Sequence, residues 1–221
     1  GFSRDERFGF AVAPLGHNCG LVGRHGMIEA GGDTYWMSHG RFFIYDGNMR
    51  VLPCSVLRFV FDNLDAIQYE KVYAGLNSEY NEIIWFYQTT DSSTGEINRY
   101  VKYNFVENVW DVGTMERTSW VDLDIFDNPI ATDAQGNLFY HEVGTEADSS
   151  ALNSYIESNT FDIDDGTQIS FMDRIIPDFD DMSGTTNVYI KVRKYPGDDF
   201  TTKGPFLVSA GTPKISMRAR G

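Results

Sequence analysis

Tyr35-Trp36-Met37-Ser38-His39-Gly40-Arg41-Phe42-Phe43-Ile44-Tyr45-Asp46-Gly47 reads as two aromatic strands folded over a tight turn and closed by a glycine. Aromatic and β-branched side chains suit the half-buried surface of a pleated sheet, and Ser38-His39-Gly40 supplies the bend. The unit returns as Ile130-Ala131-Thr132-Asp133-Ala134-Gln135-Gly136-Asn137-Leu138-Phe139-Tyr140-His141-Glu142-Val143-Gly144. A longer version lies between them. It runs from Glu82-Ile83-Ile84-Trp85-Phe86-Tyr87 through Arg99-Tyr100-Val101-Lys102-Tyr103-Asn104 to Asn108-Val109-Trp110-Asp111-Val112-Gly113. Trp36 and Trp85 stand 49 residues apart, and Trp85 stands 53 before Leu138. A strand-filled period near 50 residues predicts stacked sheets of the β-propeller kind.

Outward from that repeat, the flanks are also strands and turns. Residues 1–32 alternate short apolar runs with glycine, and Gly31-Gly32-Asp33 suits a hairpin turn. Residues 53–69 differ. After Pro53, the residues Val56, Leu57, Phe59, Val60, Leu64 and Ile67 fall near a helical face. Proline suits a first helical turn, and Asn63-Leu64-Asp65 divides the segment into two short helices. A second, weaker helical stretch is Ser149 to Ser158. Gln88-Thr89-Thr90-Asp91-Ser92-Ser93-Thr94-Gly95 holds no apolar residue and is expected to be an exposed, mobile hairpin loop. Two further strands are expected within 114–144.

Composition shifts at the acidic stretch Thr145–Ser150. The expected organisation is therefore residues 1–144 as propeller-like sheet repeats, with an acidic β module over 145–221. In the module, Asn187–Tyr195 is the cleanest alternating strand, and the whole reads as a small β-sandwich or a barrel-like sheet. The fold class is all-β, with incomplete propeller-like blades and one short helical segment. The chain opens on Gly1-Phe2-Ser3-Arg4 without a methionine and stops at Arg218-Ala219-Arg220-Gly221 after a strand-like stretch. Both ends read as cut from a longer polypeptide.

Net charge is −14, which opposes sequence-independent binding of DNA or RNA, since that needs clustered Lys and Arg. The acidity is uneven. Residues 1–60 hold 6 Lys/Arg against 5 Asp/Glu, and the remainder hold 12 against 27. No apolar run approaches the ~18 residues of a membrane-spanning helix. The two cysteines, Cys19 and Cys54, sit in or beside apolar stretches and read as buried reduced thiols. Two cysteines in a chain of this length are no disulfide framework.

Candidate chemistry is thin. Asp162, Asp164, Asp165 and Gly166 are similar to a calcium loop, with Asp173 twelfth, but Gly166 takes the fifth position where a ligand belongs. An Asp-Gly turn fits better. Asp178, Asp180 and Asp181 form a second acidic cluster, read as a solvated loop after Pro177. His17, His25, His39 and His141 lack zinc spacing with a cysteine. His141-Glu142 does not continue into a zincin motif, and no nucleophile elbow, Walker loop or dinucleotide fingerprint occurs. The 32 aromatic residues mostly alternate within strands and are expected in cores.

Several segments together carry a resemblance. They are Trp36–Gly47 with Leu52-Pro53-Cys54-Ser55-Val56, then Glu82–Tyr87, Arg99–Asn104, Trp110 with Gly113, and Arg117-Thr118. Further on come Tyr140–Gly144, Ile156-Glu157-Ser158 with Phe161-Asp162-Ile163, Ile175-Ile176-Pro177-Asp178, and Arg218–Gly221. In this order, from about residue 15 to the end, they resemble the tail hub, nozzle or "packaged DNA stabilisation" proteins of short-tailed bacteriophages.

The resemblance implies a virion structural protein rather than an enzyme, assembled in the host cytoplasm and located in the phage tail. It implies a hexameric ring below the portal and adaptor, joined to distal tail proteins and enclosing the conduit for DNA ejection. Duplex DNA would pass transiently and without sequence preference. The family carries no catalytic residue, cofactor or metal, so none is assigned. Acidic walls would repel phosphate and let DNA slide, and part of 145–200 is expected to face the channel or a neighbouring subunit. Two other readings stand beside this one: a tail-associated carbohydrate-binding or hydrolysing β-propeller, and a baseplate or decoration module without DNA contact.

Overall fold

In the first repeat, β1 (Met27–Ala30), β2 (Asp33–Ser38), β3 (Arg41–Tyr45) and β4 (Met49–Leu52) form one up-and-down antiparallel sheet in chain order. Gly31 and Gly32 make the first turn with φ of 61° and 89°, a left-handed conformation that glycine adopts without strain. The register pairs Tyr35 with Ile44 and Met37 with Phe42. These four side chains therefore share one face, and all are buried.

The structure is a computed structural model and describes residues 14, 16–123, 125–147, 150–151, 154–158, 160–161, 170–195 and 197–220. It is almost entirely antiparallel β. The chain divides into two compact units, the first within residues 1–152 and the second within 153–221. The division falls after 152, where composition alone places it after 144.

Between the first and second sheets lies the helical segment. Helix α1 covers Leu57–Phe61, and a 3₁₀ segment covers Ala66–Lys71. The break expected at Asn63-Leu64-Asp65 is present. The Asp65 carboxylate accepts a hydrogen bond from the Ile67 N–H at 2.9 Å and caps the second piece. Val60 and Leu64 are buried in the core of the first unit.

The second sheet repeats the meander with β5 (Tyr73–Asn77), β6 (Glu82–Tyr87), β7 (Arg99–Asn104) and β8 (Val109–Thr114). Its central strand β6 is buried at all five positions from Ile83 to Tyr87. Alternation explains this, because a strand with cover on both faces reads as a continuous apolar run. Ile83, Trp85 and Tyr87 join the core shared with the first sheet, while Ile84 and Phe86 pack with Trp120 on the opposite side. Trp85 is completely buried, packs its ring at a tilt with its centroid 4.9 Å from that of Phe42, and donates its indole N–H to the Gly26 carbonyl at 3.1 Å. Each such side chain stabilises the fold by roughly 1.5–3 kcal/mol through burial.

The third sheet consists of β9 (Ser119–Val121), β10 (Ile130–Thr132) and β11 (Leu138–Tyr140). Trp120 of β9 lies across Gly75 of β5, so closely that a Cβ at Gly75 would sit 2.7 Å from the indole ring. Its indole N–H donates to the Leu76 carbonyl at 2.8 Å. The first strands of the three sheets thus lie side by side, β1 against β5 and β5 against β9. His25 and Tyr73 form a parallel bridge, and the Ala74 N–H donates to the His25 carbonyl at 2.8 Å. Face-to-face meanders with aligned first strands are the arrangement of successive propeller blades.

Two local expectations are corrected. The polar loop after β6 is anchored where it begins, not free: Gln88 and Thr89 are buried. The Thr89 N–H donates to the Asn98 side chain at 3.0 Å, the Thr90 N–H to the Asn63 carbonyl at 3.0 Å, and the Thr89 hydroxyl to Asp91. Lys71 clamps the far end through the Gly95 carbonyl and Glu96. Between Ser149 and Ser158 the described residues form no helix; β12 (Glu146–Ala147) and β13 (Ser150–Ala151) pair as a short hairpin instead.

The second unit has two antiparallel ladders. One pairs β14 (Phe171–Ile175) with β17 (Ile215–Arg220), the other β15 (Thr185–Val192) with β16 (Thr201–Ser209). Strand β15 alternates exposed and half-buried residues without a fault, as its sequence predicts. Among the described residues no sheet closes into a barrel, and each ladder of this unit has two strands.

Candidate functional site

The four histidines do not converge with other ligand types. His17, His25 and His39 are exposed, and His39 packs its ring 4.8 Å from Tyr69. Among the described residues, no three His, Cys, Asp or Glu side chains gather into a possible metal position. Cys19 and Cys54 are both free and half-buried. Burial pushes the Cys54 thiol up to about 11, so the reactive thiolate is scarce at neutral pH. Asp162, Asp164, Asp165 and Gly166 lie outside the described residues. Asp173 is exposed on β14, 3.7 Å from Arg174. Asp178, Asp180 and Asp181 are exposed in the loop before β15.

A half-buried polar cluster with altered chemistry lies at the junction of the second and third sheets. His141 follows β11 and is half-buried, with its ring 4.7 Å from Trp120. Arg117 donates from Nε to His141 Nε2 at 2.9 Å. Burial drives the His141 pKa down to about 4, and the positive charge of Arg117 adds to the effect. His141 is therefore neutral at pH 7, with its free lone pair occupied by the guanidinium. That disposition suits a bracket rather than a proton carrier. The rest of the cluster agrees. The Arg117 guanidinium lies 3.8 Å over the Phe139 ring, and the Tyr73 hydroxyl donates to the Arg117 carbonyl at 3.1 Å. Arg117 and His141 are 24 residues apart, and no motif in the sequence links them.

The aromatic residues of the repeats are largely internal. Trp36, Trp85, Phe42, Phe43 and Tyr87 are all buried, as alternation predicts. The second unit behaves differently. Among its described residues, the buried apolar ones are Val208, Ile215, Met217 and Ala219. Against these four, Tyr155, Ile156, Phe161, Phe171, Ile176, Tyr195 and Leu207 are each at least 61% exposed. These large apolar side chains are open to solvent rather than covered within the unit. Sequence periodicity missed this, because these residues fall mainly in loops and at strand ends.

Charge is also sorted within this unit. Arg193, Lys194, Lys203, Arg218 and Arg220 line one groove, with Asp198 and Asp199 beside them. The exposed acidic loop Asp178-Phe179-Asp180-Asp181 precedes the other end of β15. Among the described residues, no helix is long and apolar enough to cross a membrane. No protein-family model matches this chain, and no curated protein matches it.

Proposed function

We propose that this chain is a structural subunit of a short-tailed phage virion, part of the hub or nozzle ring around the DNA-ejection conduit. The observation that supports it most is the union of two contrasting parts. One is a propeller-like stack of meanders with a filled core. The other is a β module whose large apolar side chains lie open for partners. In this reading the first unit is scaffold and the second makes subunit contacts. The order of matching segments along the sequence supplies the family. The Arg117–His141 cluster serves as a structural bracket, and the chain is not an enzyme. The net charge of −14 favours release over retention of duplex DNA at the conduit wall.

Negative-stain imaging of the purified protein, with light scattering for mass, tests this reading. Six-fold rings with an axial opening wide enough for a duplex are expected, as is a position on the tail axis in virions. A monomer at micromolar concentration, or specific capture of host polysaccharide in a pull-down, would sink it.

A further inference from the structure

We infer that the basic groove of the second unit receives the acidic loop Asp178–Asp181 of a second copy of this chain, joining subunits head to tail. The inference deepens the ring reading and rests on it. The groove measures about 400 Å³ and lies where the two ladders meet, taking Val192, Arg193 and Lys194 from the end of β15, Lys203 from the start of β16, and Arg218 and Arg220 from β17. Five cations face two carboxylates there, in a chain whose net charge is −14. Among the described residues, the ion pairs of this unit are Arg174–Asp173 and Lys191–Glu157. None of the five groove cations takes part in one.

Chemistry selects the occupant. Phe171, 64% exposed, and Ala219 give the groove an apolar element beside its cations. The matching ligand carries carboxylates around an aromatic ring. Asp178-Phe179-Asp180-Asp181 has that composition, all four residues are exposed, and Phe179 is 50% exposed. A duplex fits less well, because the field of an acidic protein repels phosphate before any local contact forms.

Geometry then separates the two halves of the contact. The acidic loop lies by the end of β16, where Phe179 and Asp181 share a hollow with Val208–Gly211. The groove takes the opposite end of the same ladder. Eight residues of β15 separate them, roughly 25 Å at ~3.3 Å per residue. Complementary ends can pair reciprocally in a two-fold dimer, so it is the ring reading that selects a head-to-tail contact between successive copies. Such heterologous contacts close into rings or run on as filaments.

Two charge reversals test the contact. The groove variant is Lys203→Glu with Arg218→Glu, and the loop variant is Asp178→Lys with Asp180→Lys. All four sites are exposed, so circular dichroism should match the wild type. Alone, each variant should lose self-association in sedimentation velocity, by on the order of tenfold or more for reversed contact charges. Mixed in equal amounts, the two should assemble again, because each supplies the complement that the other lacks. Rings that persist in both variants would overturn the contact and leave the ring reading standing. A wild-type chain that is monomeric throughout would overturn both. A mixture that stays monomeric, or a duplex oligonucleotide held by the wild type and lost by the groove variant, would also refute the contact.

Discussion

The two units spend the same kind of residue in opposite ways. The first places Trp, Phe and Tyr between sheets, so that β6 is closed on both faces. The second leaves most of its described large apolar side chains open and closes over Val208, Ile215, Met217 and Ala219. Both are antiparallel β, so strand formation does not explain the contrast. The number of layers does. Three stacked sheets give the middle one two partners, whereas a pair of two-stranded ladders has little surface with which to cover itself. The first unit is thus stabilised from within, and the second buries much less of its apolar surface within itself.

The sharpest way to break this contrast is Trp85→Ala. It removes a fully buried indole from the shared core and should cost about 3–5 kcal/mol. The chemical-denaturation midpoint would report it; a loss under about 1 kcal/mol would mean that the sheets do not depend on a common core. Gly75→Val comes next. The added side chain would meet Trp120 where a Cβ already approaches to 2.7 Å. Parting the second and third sheets should cost about 1–3 kcal/mol, read both from thermal melting and from a change in Trp fluorescence.

A third test uses pH. His141 titrates at about 4 in the fold because burial and Arg117 disfavour its charged form, and near 6.5 when unfolded. A depressed histidine pKa means that the unfolded chain binds the extra proton first. Its stabilising contribution is complete above pH 6.5 and declines as pH falls from 6.5 towards 4. With its partial exposure discounted, the loss is on the order of 1–2 kcal/mol. His141→Gln keeps an acceptor for Arg117 without that proton, so its melting temperature should fall less between pH 7 and pH 4.5. Equal slopes would show that the bracket is not proton-linked.

Two smaller effects complete the series. Leu207→Ser, at a position 68% exposed, should change folding stability by no more than about 0.5 kcal/mol while weakening self-association. A large stability loss instead would show that the second unit has an internal core after all. Tyr87→Phe deletes a buried hydroxyl that has no hydrogen-bond partner among the described residues. Equilibrium unfolding should find it neutral or slightly stabilising.

Much of the first unit was legible because its determinants are local. Pro53 and the spacing from Val56 to Ile67 marked the helical segment, and Asn63-Leu64-Asp65 marked its break. The Trp36 and Trp85 strands stood out because aromatic runs with turn residues leave few alternatives. Other features depend on partners far along the chain. The 88–95 loop has the composition of a mobile segment, yet Asn63, Lys71 and Asn98 hold it in place. Strand β9 is three residues long and too short for alternation to register. The groove cations are scattered from Arg193 to Arg220, and ladder pairing rather than spacing brings them together.

The side-by-side first strands carry a consequence for biogenesis. Each sheet of the first unit is made from consecutive strands, and each docks on the one synthesised just before it. No strand of these three sheets waits for a partner from a later sheet. Order of synthesis can therefore serve as order of folding, with β5 laid against β1 and then β9 against β5 as the chain lengthens. An emerging sheet would expose its apolar face only until the next one arrives, which limits the time in which a partly made chain can aggregate.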